Sequence, residues 1–367
     1  MNTAILGGVI FVLVFAGIIF LHELGHFIVA RLLHIEVEEF GIGFPPRALK
    51  LFTWKGTDFT LNWIPLGGFN KIKGEDDPHV PGGMAAAQPW KRILVLLAGA
   101  TMNILTAVFV YTLLFSQIGV PDNHAVVVTL VSPGSPAQSS GLMVDDLILT
   151  ANGTKVTNYT QLIGIVNQNL DQPLPLTILR NNQVVDLTIT PRSNHPATEG
   201  PMGIAVSKPL YPAKNWFETV PVSLEAAGSD IQNLLALPGR VMAGTVSPQE
   251  AQIGGPRSIW DLFQQSVARD VASRESPATS SQPQVPTNYT LLVIISLTLT
   301  VGVVNLLPIP ALDGWRIFTS LVEIIIRRPI PAKYQVAINS IGFMVLLILL
   351  GFFYIKDFIN PINITLP

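Results

Sequence analysis

Four stretches of the chain stay apolar for about the 20 residues that a helix needs to cross roughly 30 Å of hydrocarbon. They run from about Ala4 to Leu33, from Ile93 to Phe115, from Tyr289 to Leu307 and from Ala337 to Ile355. The first lacks a positive segment ahead of it and continues past the length of a signal-peptide core, so it reads as a retained span. The pattern predicts a multi-span α-helical membrane protein with four transmembrane helices.

The polar segments between these runs carry their own periodicities. After the first span, two aromatic-rich alternating runs flank Lys55-Gly56-Thr57, which predicts a β-hairpin. Leu66-Gly67-Gly68-Phe69-Asn70-Lys71-Ile72 continues it as extended chain. Such a hairpin is suited to lie on the membrane surface or to offer an edge to an extended peptide, and equally to cover a core.

The insert between spans two and three divides in two. From Ala125 to about Ser207, short β-branched runs alternate with turn signals, and brief helices are expected at Ala137 to Gly141 and Tyr159 to Asn169. That is a small mixed α/β domain of roughly 85 residues, long enough to fold alone. Pro212 to Asn288 reads as irregular, with an amphipathic stretch near Phe217 to Leu237 and a flexible linker from Ser273 to Thr287. The expected division is residues 1–118 for spans one and two with the hairpin, 119–210 for the mixed domain, 211–288 for the irregular segment and 289–367 for spans three and four.

Composition agrees with a membrane protein. Of 367 residues, 49% are hydrophobic and 13% charged, against about 25% charged in ordinary soluble domains. A net charge of -2 without a basic tract leaves nucleic acid no electrostatic footprint. Lys and Arg gather after span one (Arg31, Arg47, Lys50, Lys55, Lys71, Lys73, Lys91, Arg92) and after span three (Arg316, Arg327, Arg328, Lys333). These are the expected cytoplasmic faces, so the mixed domain and both ends face outward.

One span carries chemistry. His22-Glu23-Leu24-Gly25-His26 lies within the first apolar run, and positions i and i+4 of a helix share a face. His22 and His26 can therefore present two imidazoles to one Zn²⁺, with Glu23 placed as general base. Two histidines and a glutamate can also be structural. In hydrocarbon, however, the acid alone costs about 2.5–3.5 kcal/mol on insertion scales, which favours a functional role. At about 1.5 Å per residue, His22 lies roughly 27 Å from Ala4, toward the cytoplasmic side.

Two imidazoles leave zinc one protein ligand short, and with no Cys in the chain that ligand must be His, Asp or Glu. Asp313, in Asn305-Leu306-Leu307-Pro308-Ile309-Pro310-Ala311-Leu312-Asp313-Gly314, ends span three at the same face. Pro308 and Pro310 break the helix and let the turn re-enter toward span one. Asp313 also suits the cap of a helix beginning at Trp315, and the missing ligand decides for the metal. Asn103 and Asn305 are polar residues within spans, suited either to bond the backbone of an unwound substrate or to join helices. His34, His79, His124 and His195 lie in loops or at span ends and read as solvated.

These pieces, in this order, resemble the site-2 protease family of intramembrane zinc metalloproteases, in its bacterial form with an inserted PDZ domain. The resemblance is carried by His22-Glu23-Leu24-Gly25-His26, Gly67-Gly68-Phe69-Asn70-Lys71, Gly99-Ala100-Thr101-Met102-Asn103 and Asn305 through Gly314. Ser132-Pro133-Gly134-Ser135-Pro136-Ala137 and Gly141 to Ile148, followed by Asn152-Gly153, look like a PDZ carboxylate loop and the strand after it.

The resemblance implies one Zn²⁺ per chain on His22, His26 and Asp313, Glu23 as general base, and Asn305 holding substrate. It implies an inner-membrane enzyme with its site toward the cytoplasm and one extracytoplasmic PDZ-like α/β domain, open to a peptide ligand. The implied partner is a single-span membrane protein, such as an anti-sigma factor, already trimmed outside by another protease and then cut in regulated intramembrane proteolysis. A different class of function is a membrane scaffold that binds peptide C-termini beside a non-catalytic metal site. Zinc stoichiometry and loss of cleavage on chelation separate the two. A transporter is disfavoured, because hydropathy shows no inverted repeat.

Overall fold

The computed structural model describes residues 3–196, 199–213, 215–246, 255–275 and 288–359. The chain divides into two compact units, Met1–Leu114 with Ser223–Pro367, and Phe115–Val222.

In the first unit, helix α1 (Thr3–Leu32) leads into strands β1 (Val37–Trp54) and β2 (Thr57–Ile72), and helix α2 (Pro89–Ile118) follows. The β1–β2 ribbon turns at Lys55 and Gly56, both with positive φ, as the hairpin reading expects. It also curls on itself: Glu39, Phe40, Gly41 and Ile42 pair both with Gly68 through Lys71 and with Asp58 through Leu61. The inner half of β1 thus lies between two stretches of β2.

The base of the ribbon packs on α1. Val37, Phe40 and Ile72 are buried with Phe27, Ala30 and Val95, and Phe40 lies 4.9 Å from Phe27 and 5.5 Å from Phe20 between ring centroids. Gly68 makes the fit possible, since a Cβ there would sit 3.0 Å from Phe20 Cα and 3.2 Å from Glu23 Cβ. Farther out, Leu49, Phe52, Trp54 and Trp63 are exposed.

In the second unit, the chain runs through β3 (Val120–Pro121), β4 (Val126–Val131), α3 (Pro136–Ser139), β5 (Leu147–Ala151), β6 (Thr154–Lys155), α4 (Tyr159–Gln168), β7 (Leu174–Arg180), β8 (Gln183–Ile189), β9 (Ile204–Ser207) and β10 (Leu210–Tyr211). The main sheet has the order β8-β7-β5-β4-β9, with β6 on β5, and β10 pairs separately with β3. Ser135 and Asn158 cap α3 and α4 through their side chains, which is why turn residues announced both helices. Alternation places Val126, Val128, Ile148, Leu174, Leu176, Ile178 and Ile189 in one apolar core.

The first unit resumes through α5 (Thr219–Met242), preceded by a short 3₁₀ turn at Trp216–Glu218, then α6 (Pro256–Glu275), α7 (Tyr289–Asn305), α8 (Asp313–Ile326) and α9 (Ala332–Ile359). One expectation needs correction. In the 211–288 segment, the amphipathic stretch expected near Phe217 to Leu237 is α5, and the described residues hold a second helix, α6, that was not expected. Helix α6 carries few apolar residues, but Trp260, Phe263 and Val267 recur at helical spacing. Phe263 is buried, and Phe11 of α1 stacks edge-on to Trp260 at 5.1 Å and to Phe263 at 5.4 Å. Packing on α1, rather than an intrinsic amphipathic pattern, holds this helix. The linker expected from Ser273 therefore begins inside α6, and its residues 276–287 lie outside the described residues.

Of the four expected spans, the helix lengths carry three. Among the described residues, three helices, Ala4–Leu32, Pro89–Ile118 and Ala332–Ile359, are long and apolar enough to cross a membrane. The stretch expected as span three is α7, apolar but only 17 residues long. It stops at Asn305 because the Pro308 and Pro310 region ends the hydrogen-bond ladder two residues earlier than hydropathy does. Buried carboxylates tie these helix ends to α6. Asp270 accepts the Tyr289 and Thr290 amides at the start of α7, and Asp357 of α9 accepts the Ser258 amide and hydroxyl at the start of α6.

Candidate metal centre

The two histidines of α1 meet the start of α8. His22 and His26 occupy consecutive turns on one face of α1 and are both buried. Beyond α7, the chain turns through Ala311 at positive φ and Leu312 in extended geometry, and α8 begins at Asp313. Asp313 is thus the first residue of the helix, and Leu312 holds the cap position. The Asp313 Oδ2 lies 3.0 Å from His22 Nε2 and 3.2 Å from His26 Nε2, and the two Nε2 atoms are 3.1 Å apart.

Among the described residues, these three form the one cluster of His, Asp or Glu side chains able to hold a metal ion. Their near-equilateral triangle fits zinc. Ligand bonds of about 2.0 Å in a tetrahedron give ligand-to-ligand edges of about 3.3 Å. Two imidazoles and a carboxylate form the donor set of a catalytic zinc site that keeps one position open.

Helix α2 supplies the wall behind the imidazoles. Val95, Gly99 and Asn103 recur every four residues and so share one face. The Val95 carbonyl accepts from His26 Nδ1 at 2.8 Å, which puts the proton on Nδ1 and leaves the Nε2 lone pair free for a metal. Gly99 makes room for both rings. A Cβ at Gly99 would lie 2.4 Å from His26 Nε2 and 2.7 Å from His22 Cε1, and a Cβ at Gly25 would meet the Ala98 carbonyl at 2.4 Å. The helices touch through their two smallest residues, so α1 can bring both rings against α2.

The remaining expected residues are close by. Asn103 is fully buried, its amide 3.3 Å from His22 Nδ1. Asn305, the last residue of α7, lies 3.5 Å from His22 Nε2. Glu23 is half-buried, and its side chain forms no hydrogen bond with a described residue, while its backbone carbonyl accepts from Asn70 of β2 at 3.5 Å. The ribbon therefore lies against the same turn of α1 that carries the acid.

Sequence reasoning missed three contributors. The Val95 carbonyl leaves no trace in a side-chain pattern. Gly99 carries no chemistry of its own, and only its four-residue spacing from Val95 and Asn103 marks the face turned to His22 and His26. Arg316, one turn beyond Asp313, pairs with Glu75 and, at 3.0 Å, with Asp76. It ties the start of α8 to the loop between β2 and α2. Burial pushes the Glu75 carboxyl above its ordinary range, and the Arg316 guanidinium pulls it back. A cavity of about 680 Å³ opens beside this pair, lined by Glu75, Asp76, Arg92, Glu323 and Lys333.

Residues 10–349 match the model of peptidase family M50. A Clostridium perfringens protein, named as a candidate zinc metalloprotease, is 34% identical over 357 residues, covering 95% of this chain and 98% of its own length. Similarly named proteins of Campylobacter jejuni and Helicobacter pylori are each 30% identical, across 94% of this chain and 91% and 97% of their own lengths. With three helices fit to cross a membrane and a buried triangle of zinc-type donors, the chain is an integral membrane zinc metalloprotease of peptidase family M50, the site-2 protease family.

Proposed function

We propose that this enzyme hydrolyses a peptide bond within or beside the transmembrane segment of single-span membrane proteins, using His22, His26 and Asp313 as zinc ligands and Glu23 as general base. The observation that carries this reading is the Nε2, Nε2, Oδ2 triangle between an apolar helix of spanning length and the start of α8. Zinc held there supplies a Lewis acid that makes water acidic near neutrality and polarises a carbonyl. Glu23, one residue from His22 and with a side chain that forms no hydrogen bond among the described residues, accepts a proton from the attacking water and returns it to the leaving amine.

A helical substrate shields its own peptide bonds, so it must unwind before attack. Asn305 is near enough to His22 to bond an unwound backbone at the site. The ribbon, laid against α1 at Gly68 and Asn70, supports the same strand. Helix α7 acts as a fourth span, slightly thinned in length, and the Lys and Arg clusters orient the site toward the cytoplasm of a bacterial inner membrane. The Phe115–Val222 unit is read as an extracytoplasmic PDZ domain, supported by its six-strand sheet, two short helices and the Ser132 to Ala137 turn ahead of α3. Such an arrangement suits regulated intramembrane proteolysis of a signalling protein, such as an anti-sigma factor, after a first cut outside.

The test is cleavage of a labelled single-span protein by the purified full-length enzyme in lipid nanodiscs. Cleavage that stops on chelation, returns with zinc and is absent from Glu23→Gln supports the proposal. Cleavage retained by Glu23→Gln, or capture of peptide C-termini by a protein that never cleaves, overturns it.

A further inference from the structure

Asn103 is a buried amide beside the donor triangle whose hydrogen bonding is incomplete. It has no exposed surface, and its Oδ1 is buried with no partner, while the amide contacts His22 Nδ1 at 3.3 Å. The two ends of an amide have the same shape, so chemistry decides which one faces the ring. If His22 gives its Nε2 lone pair to a metal, Nδ1 carries the proton and must donate. An amide NH₂ facing it would set donor against donor and leave Oδ1 orphaned. Turning the amide over removes the donor–donor clash, because Nδ1–H then donates to Oδ1, and leaves the unpaired end of the amide as its NH₂.

We propose that Asn103 is a positioning residue that holds His22 in the zinc-binding tautomer, its Oδ1 accepting from His22 Nδ1–H. This rests on the reading of His22 as a zinc ligand and adds to it. It also gives Asn103 a role other than holding substrate, which a fully buried side chain is poorly placed to do. The same face of α2 then serves both imidazoles in parallel, with the Val95 carbonyl on His26 Nδ1 and the Asn103 carbonyl on His22 Nδ1. Gly99 lies between them, four residues from each. Helix α7 closes the far side, where a Cβ at Gly302 would come within 3.2 Å of Asn103 Cβ. Asn103 thus lies between α1 and α7. Fixing the free nitrogen of a metal-bound imidazole in this way typically adds about 10- to 100-fold to metal affinity.

The test is zinc affinity of the full-length enzyme, measured by competition with a chelator of known affinity, for the wild type, Asn103→Ala and Asn103→Asp. The absorption spectrum of the cobalt-substituted protein reports ligand geometry alongside. Asn103→Ala should lose about 10- to 100-fold in zinc affinity and change the cobalt spectrum. Asn103→Asp should recover most of the affinity, because a carboxylate accepts the same hydrogen bond, and this recovery excludes simple misfolding as the cause. Asn103→Ala with zinc affinity within about twofold of wild type and a raised KM would overturn the proposal in favour of substrate contact. An Asn103→Asp variant as weak as Asn103→Ala would overturn it too. His22→Ala and Asp313→Ala serve as references: if they keep wild-type affinity, the zinc site itself is misassigned, whereas if they lose zinc and Asn103→Ala does not, only the role of Asn103 fails.

Discussion

The core of the Phe115–Val222 unit and the centre between α1, α2 and α8 are both buried, yet they are built from opposite materials. In the former, Val128, Ile148, Leu176 and Ile178 fill the interior with hydrocarbon. A buried acid there, Asp146, takes two bonds from Arg180 and one from the Met143 amide. In the latter, two imidazoles, a carboxylate and an amide crowd together, and a glycine stands where a side chain would not fit. Burial of polar groups is costly unless they are paired. Where a fold keeps such a cluster beside apolar spans, the cluster serves chemistry, and the core without one serves stability.

That contrast orders the expected effects of substitution. The largest is Glu23→Gln, which should reduce cleavage by about 10²- to 10⁴-fold, the typical worth of a general base, while zinc content stays at wild-type level. Loss of zinc together with activity would make Glu23 part of the metal-binding structure instead. Next is Gly99→Ala, whose new Cβ would press on His26 Nε2. Chelator competition should show zinc affinity falling on the order of 10- to 100-fold, with near-normal thermal unfolding of the Phe115–Val222 unit.

Leu176→Ala inverts the pattern. It should destabilise its own unit by about 2–5 kcal/mol, seen as earlier unfolding of that unit, with zinc affinity unchanged. If Leu176→Ala stripped zinc, the two regions would not be separable in the way their cores suggest. The smallest effect is expected from Arg316→Ala. Its ion pairs with Glu75 and Asp76 are partly exposed and worth little, about 0–1 kcal/mol, so cleavage should fall by less than about tenfold. Because Arg316 holds the Glu75 carboxyl down against burial, that group should titrate at higher pH in the variant, which NMR of a labelled glutamate can follow.

The legible and illegible parts of the molecule divide along similar physical lines. His22, Glu23, His26 and Asp313 stood out because charged or metal-binding side chains are rare in apolar runs and their spacing is fixed by the helix. The strands β4, β5, β7 and β8 announced themselves through alternation and turn residues. What did not announce itself depends on partners distant in sequence. Helix α6 is held by Phe11 of α1, and β9 is four residues long and becomes a strand by pairing with β4. The Val95 carbonyl belongs to the backbone, which every residue shares. The span reading of α7 outran the helix because hydropathy continues through Leu306 and Leu307 while the backbone, approaching Pro308, does not.

The central claim is that Asp313 completes a zinc site begun by two histidines of a membrane helix. Zinc content of the purified full-length protein, wild type against Asp313→Ala, tests it most directly. The expected result is about one zinc per chain in the wild type and, after dialysis against a weak chelator, almost none in the variant. Equal zinc retention by the two proteins would contradict the account.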